Sequence, residues 1–277
     1  RNENQDIKEF WGKQFDLGLA WVQYPEGAGG LGINPKYQLL VTEKLREEGI
    51  SQQNRVANIL GIGMGAPTII EYGTPEQISK YLRPMFTTDE IWCQMFSEPG
   101  SGSDLASLST KAVDDGDGYI VNGQKVWTTL GHLAKWGLLV TRTDPDVPKH
   151  RGLTFFIVDM ESDGVEVRPL RQITGEAEFN EVYFTDVKIP KENMLGNLGD
   201  GWRVSLTVLM NERVAIGGNV RERGTGAPGH LVQLWNDKEL DDPVSRDKLI
   251  KLWIEQESIR LTNCLLYTSP SPRDMSA

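Results

Sequence analysis

The hydrophobic pattern of this chain changes period at Trp92. Up to about Pro84 apolar residues recur at helical spacing, from Trp92 they fall into short runs parted by turn residues, and from about Gly201 helical spacing returns. A chain with that order folds as helices, then a sheet, then helices, which makes it an α+β protein whose β part buries its own face. The expected division is a helical domain over 1–91, a β domain over 92–198, the start of a second helical domain over 199–263 and a tail over 264–277.

Within the first part, residues 2–19 set Ile7, Phe10, Trp11, Phe15 and Leu17 among charges, and residues 35–48 set Leu39, Leu40 and Leu45 opposite Glu43, Lys44, Glu47 and Glu48. A further helix is predicted over 52–72, with close packing or a local break at Gly61, Gly63 and Gly65, because glycine weakens a helix interior. Thr74-Pro75-Glu76 predicts a helix start, with a hydroxyl to cap it and proline at the first position; that helix ends near Pro84. In the second part strands are predicted over 109–113, 119–121, 137–143, 153–159, 165–170 and 182–189, with Asn122-Gly123 as a hairpin turn. The spacing predicts a compact antiparallel barrel or sandwich of about 100 residues. In the third part helices are predicted over 201–216 and 243–263, with a surface loop over 224–230. Residues 268–274 hold two prolines and no apolar face, and read as a non-native or disordered tail.

Composition excludes several functions. The chain carries 29 basic and 39 acidic side chains, a net charge of -10, with no basic block, so nucleic acid is not an expected partner. No apolar run approaches the roughly 20 residues of a membrane-spanning helix, and the expectation is a soluble protein. Cys93 and Cys264 are far apart, and His132, His150 and His230 are scattered, which predicts neither a disulfide framework nor a metal site. Gly-x-Gly-x-x-Gly occurs at 27–32 and at 224–229, but neither follows a buried strand and Pro228 spoils the second as a helix opening, so neither is read as a dinucleotide fingerprint. The chain begins at Arg1 rather than Met, which leaves an upstream targeting segment open.

Two runs point to chemistry. Phe96-Ser97-Glu98-Pro99-Gly100-Ser101-Gly102-Ser103-Asp104 can bend with its amides turned toward an anion, as a pyrophosphate requires. Val126-Trp127-Thr128-Thr129 sets a flat ring beside two hydroxyls, which suits stacking and edge hydrogen bonding of a planar heteroaromatic group. Taken singly, the first is an ordinary surface turn and the second an ordinary core tryptophan.

Their joint order, Ser-Glu-Pro-Gly-x-Gly-Ser-Asp, then Asn122-Gly123-Gln124-Lys125, then Trp-x-Thr, resembles the flavin-binding middle domain of acyl-CoA dehydrogenases, and the resemblance runs from near the N-terminus to about Asn263. It implies FAD as cofactor, with Met95, Phe96 and Ser97 at the flavin edge, Gly102 and Ser103 near the pyrophosphate and the bound thioester, and Trp127, Thr128 and Thr129 packing on the ring. It further implies acyl-CoA as substrate, an electron-transfer flavoprotein as onward acceptor, a dimeric or tetrameric assembly, and a bacterial cytoplasmic or mitochondrial matrix setting. In one arrangement of the family the base belongs to a Glu-Arg pair on the first helix after the β domain, and Leu209-Met210-Asn211-Glu212-Arg213 matches it. Glu212 is then the base, and Leu209 and Arg213 lie near the acyl-CoA. Helical spacing alone puts Glu212 on a face with Val208, Leu209, Ala215 and Ile216, and burial there would raise its carboxyl toward the range useful for proton abstraction. The family continues for further helices beyond the point where this chain stops. Two other readings share the scaffold: an acyl-CoA oxidase or flavin monooxygenase, and a non-catalytic subunit of a mixed oligomer. The stretch from Arg171 to Asn180 also resembles family sequence but has no role fixed by physical argument.

Overall fold

The computed structural model describes residues 3–50, 52, 54–217 and 223–268. It divides into two units, Arg1–Glu212 and Arg213–Ala277. Of the tail expected over 264–277, residues 264–268 continue the last helix (Pro243–Thr268) instead, and 269–277 lie outside the described residues.

The first unit opens with α1 (Glu3–Asp16), α2 (Tyr37–Glu47), α3 (Asn54–Ala57), α4 (Ala66–Tyr72) and α5 (Pro75–Phe86). The helix predicted over 52–72 is interrupted, as its glycines demand, by a π-helical turn at Gly61–Gly65. Thr74 caps α5 as expected, and Gln77 completes a capping box by accepting from Thr74 N at 2.9 Å. Gln77 Nε2 also donates to Glu192 O at 2.7 Å and Met194 O at 2.9 Å, which ties the first turn of α5 to the segment leading into the next helix. An aromatic cluster closes this layer, with Trp21 edge-on to Phe86 at 5.2 Å and to Phe15 at 6.1 Å.

Seven strands follow: β1 (Trp92–Met95), β2 (Lys111–Asp114), β3 (Gly118–Thr129), β4 (Trp136–Arg142), β5 (Leu153–Asp159), β6 (Val165–Leu170) and β7 (Phe179–Pro190). They form one sheet in the order β1-β4-β2-β3-β7-β6, with β5 on the other edge of β4. Most pairs are antiparallel, but β1 and β2 both meet β4 in parallel, so the sheet is mixed. Its inward face packs Cys93, Met95, Val121, Leu139, Phe156 and Phe184 into one core. Trp92, on the opposite face of β1, meets Tyr81 edge-on at 5.3 Å. Asn58 fastens the same junction, donating to Met85 O at 2.8 Å and Glu90 O at 3.0 Å and accepting from Trp92 N at 3.0 Å.

Asn122-Gly123 is not the hairpin turn its composition suggests. β3 runs through it, paired with β7 on both sides of a register shift between Val121 and Gly123, and the turn back from β2 is made at 115–117. Asn122 exchanges side-chain bonds of 2.9 Å with the Asp186 amide and carboxylate. Gly123 has φ 154°, and a Cβ there would lie 2.5 Å from Thr110 Oγ1, so glycine serves close approach rather than chain reversal.

Helix α6 (Gly201–Gly217) begins against the start of β5, where a Cβ on Gly201 would lie 2.5 Å from the main chain of Leu153 and Thr154. The second unit carries α7 (Gly226–Asp237) and α8 (Pro243–Thr268). The loop predicted over 224–230 is therefore largely helix: Pro228 falls in the first turn of α7, where its missing N–H is no loss. Among the described residues no helix is long and apolar enough to cross a membrane.

Candidate functional site

Strand alternation sends Cys93 and Met95 into the sheet core and leaves Trp92 and Gln94 toward the helices. The chain leaves β1 at Phe96, whose ring stays buried, edge-on to Phe155 at 5.9 Å. Beyond it the loop turns at Pro99-Gly100, closed by Glu98 N to Ser101 O at 2.8 Å and Ser101 N to Glu98 O at 3.0 Å. Gly102 and Ser103 are exposed at its tip, and a Cβ on Gly102 would meet nothing within 4 Å among the described residues, so a ligand can approach the main chain there. Met95 and Phe96 thus offer this surface main chain rather than side chain. Ser97 is half-buried.

The second run lies alongside the first, with Val126 N donating to Ser97 O at 2.9 Å. Here β3 bulges: Lys125 faces Val182 and Thr128 faces Asn180, which leaves Val126 and Trp127 opposite Glu181 alone. Trp127 takes φ 62°, a conformation rare for a bulky residue, and its indole turns out to 61% exposure with the edge of Phe179 at 6.1 Å. Thr129 is half-buried on the same run, whereas Thr128 is buried and its Oγ1 has no hydrogen-bond partner among the described residues. Asn180, next to it, donates to Thr128 O at 2.9 Å. Of the three residues expected around a ring, Trp127 and Thr129 are reachable and Thr128 belongs to the buried side. An exposed indole and a hydroxyl beside a loop with open glycine main chain fit a planar heteroaromatic group with a pyrophosphate tail.

Sequence reasoning assigns no role to the pair that fastens the two runs. Lys125 is fully buried on β3 and donates to Glu98 Oε1 at 2.9 Å and Phe96 O at 3.1 Å. Glu98 also accepts from Ser109 N at 2.6 Å, Ser109 Oγ at 2.8 Å and Thr110 N at 3.0 Å. Burial works to raise the Glu98 carboxyl, but the Lys125 charge and these donors outweigh it and bring the group down to about 2; burial in turn pulls the Lys125 ammonium down to about 8. The visible signal was a lysine at an inward position of a strand whose other inward residues include Tyr119 and Val121.

A pH dependence follows. Because the folded-state pKa of Glu98 lies below its ordinary value of 4.5, its contribution to stability is complete above about 4.5 and is lost as pH falls toward about 2. Unfolding free energies measured across that window are expected to fall more steeply for the parent than for Glu98→Gln/Lys125→Met. Parallel curves would mean that the carboxylate is not held this way.

Glu212 is placed by α6. Tyr72 and Thr207 share a hydroxyl hydrogen bond of 2.9 Å, and the Arg203 guanidinium lies 4.7 Å from the Tyr72 ring centroid, so α4 holds the earlier turns of α6. Further along, the half-buried Glu212 accepts from Gln94 Nε2 at 3.3 Å. Gln94 Oε1 is buried without a hydrogen-bond partner among the described residues. That contact sets the carboxylate beside β1, two residues before Phe96. Of the apolar neighbours read from helical spacing, Val208 is buried, Leu209 and Ala215 are half-buried and Ile216 is exposed, so the surround is less enclosed than the spacing implies. Arg213 is the first residue of the second unit. A cavity of about 740 Å³ lies elsewhere, among Lys8, Glu9, Lys13, Asp16, Arg83 and Asp89, and its charges pair as Lys8–Asp89, Lys13–Glu9 and Arg83–Asp16.

Comparison with known proteins gives two adjoining family matches: "Acyl-CoA dehydrogenase, N-terminal domain" over residues 1–89 and "Acyl-CoA dehydrogenase, middle domain" over residues 93–187. Acyl-CoA dehydrogenase FadE34 of Mycobacterium tuberculosis is 44% identical over 243 residues, covering 86% of this chain and 32% of that protein. Acyl-CoA dehydrogenase IpdE1 of the same organism is 37% identical over 254 residues, covering 88% of this chain and 63% of that protein. The chain therefore spans about a third of one relative and just under two thirds of the other. Among solved structures, the ChsE4-ChsE5 complex from Mycobacterium tuberculosis superposes with a TM-score of 0.70 at 31% identity, covering 99% of this chain and 74% of that one.

Proposed function

The chain belongs to the acyl-CoA dehydrogenase family, and on that premise we propose that it carries the flavin and base elements of an enzyme that desaturates an acyl-CoA thioester between its α and β carbons. The observation that carries this reading is the Gln94–Glu212 contact of 3.3 Å, which sets a carboxylate beside the strand that opens into the flavin-type loop.

In this reading Trp127 and Thr129 present a stacking surface and a hydroxyl to the isoalloxazine, and the open main chain at Gly102 and Ser103 meets the pyrophosphate and the thioester. Ser97 lines the edge between them. FAD, when bound, supplies the acceptor for the hydride that leaves the β carbon. Glu212 removes the α proton, so the two hydrogens leave as a proton and a hydride and a C=C bond forms. The half-buried Leu209, three residues before Glu212 and so on its face of α6, packs against the acyl chain, and Arg213 serves the CoA portion. Electrons then pass to an electron-transfer flavoprotein, and the working form is an oligomer.

The test is the visible absorption spectrum of the purified protein, with circular dichroism to show that it is folded, followed by anaerobic addition of acyl-CoA thioesters. A flavin band that bleaches on addition supports the reading. A bound flavin that no acyl-CoA reduces would count against dehydrogenation, and a folded protein that takes up no FAD would count against the cofactor.

A further inference from the structure

We infer that the buried Glu98–Lys125 ion pair is a positioning element of the flavin site, holding the loop that follows β1 in register with the Trp127 bulge. The inference rests on the flavin reading above. A buried ion pair is a poor choice for stability alone, because apolar side chains of similar volume often do as well or better. Its directional bonds are what apolar packing lacks, since hydrophobic contact does not fix register between two segments.

Here those bonds go to the two ends of one loop. The Glu98 carboxylate collects Ser109 N, Ser109 Oγ and Thr110 N from the returning end, at 2.6 to 3.0 Å. Lys125 reaches Phe96 O at 3.1 Å on the departing end and Glu98 itself at 2.9 Å. Lys125 also immediately precedes Val126, whose N–H to Ser97 O bond of 2.9 Å joins the two runs, and Trp127 follows directly. The pair therefore fixes the main chain on both sides of the surface where ring and pyrophosphate would meet. Neither side chain reaches that surface, with side-chain exposures of 0% for Lys125 and 4% for Glu98, so both act through the loop and the bulge.

The test uses Glu98→Gln/Lys125→Met, which removes both charges, and Glu98→Asp, which keeps the charge but shortens its reach. Both are read by amide hydrogen exchange and by FAD titration of the apoprotein. In a folded variant the Val126 amide is expected to exchange at least about tenfold faster, while amides of β3 paired with β7, such as Val121, keep their protection. FAD is expected to bind about tenfold more weakly, with an altered flavin dichroism. Parent-like exchange at Val126, or faster exchange with unchanged FAD affinity, would overturn the inference. Failure of both variants to fold would also overturn it, by making the pair a determinant of the fold. If the parent takes up no FAD the flavin reading fails, and Val126 exchange still decides whether the pair sets the register of the loop.

Discussion

Glu212→Gln slows reduction of bound flavin by an acyl-CoA thioester about 100- to 10,000-fold, the range supplied by a positioned general base, and leaves FAD affinity unchanged. Glutamine keeps the volume of the side chain and an oxygen for the Gln94 hydrogen bond, so α6 and β1 keep their contact. What it loses is the ability to take a proton. Stopped-flow bleaching under anaerobic conditions reads this step separately from later electron transfer. Reduction at the parental rate would remove Glu212 from the reaction and turn the search to other acids. A large drop accompanied by loss of FAD would instead make Glu212 structural.

The second large effect is on stability. Lys125→Met alone leaves the Glu98 carboxylate buried with its main charge partner gone, and breaking a buried pair in this way typically costs about 3–5 kcal/mol. The same substitution combined with Glu98→Gln is expected to recover most of that loss, because no unpaired charge remains. Urea unfolding of the single and double variants measures the difference. A single variant within about 1 kcal/mol of the parent would show that the carboxylate finds water or another partner.

How far the sequence anticipates the structure depends on whether the deciding interaction is local. The predicted strands at 153–159 and 165–170 coincide with β5 and β6, and Thr74 caps α5, because apolar alternation and capping are settled within a few residues. Asn122-Gly123 misleads for the complementary reason: turn composition is local, but Thr110 and the long pairing with β7 come from elsewhere in the chain. The candidate site is only partly drawn by sequence pattern. Both runs and Glu212 could be picked out, whereas strand parity alone would send Trp127 inward with Tyr119, Val121 and Lys125. The bulge after Lys125 reverses that parity, exposing Trp127 and burying Thr128, and no short motif announces it. Glu98 and Lys125 find each other only once β1 and β3 are assembled. Gln94, a polar residue in a short apolar strand, became informative only when α6 was placed against it.

The parallel pairing of β1 with β4 bears on the order in which the molecule assembles. Trp92 pairs with Trp136 and Met95 with Leu139, so β1 takes its place only after a long closure, with β2 and β3 lying between in the chain. The β3–β7 and β4–β5 ladders are antiparallel, and β4 reaches β5 across a short connection. Chain entropy therefore favours early formation of β4–β5 and late docking of β1. Pulse-labelled refolding is expected to protect β4–β5 amides before Val126, whose partner Ser97 arrives with β1. The surface that would receive a cofactor is then among the last parts of the first unit to exist, and a newly made chain passes through a stage at which its sheet is largely built and the loop after β1 is still unanchored.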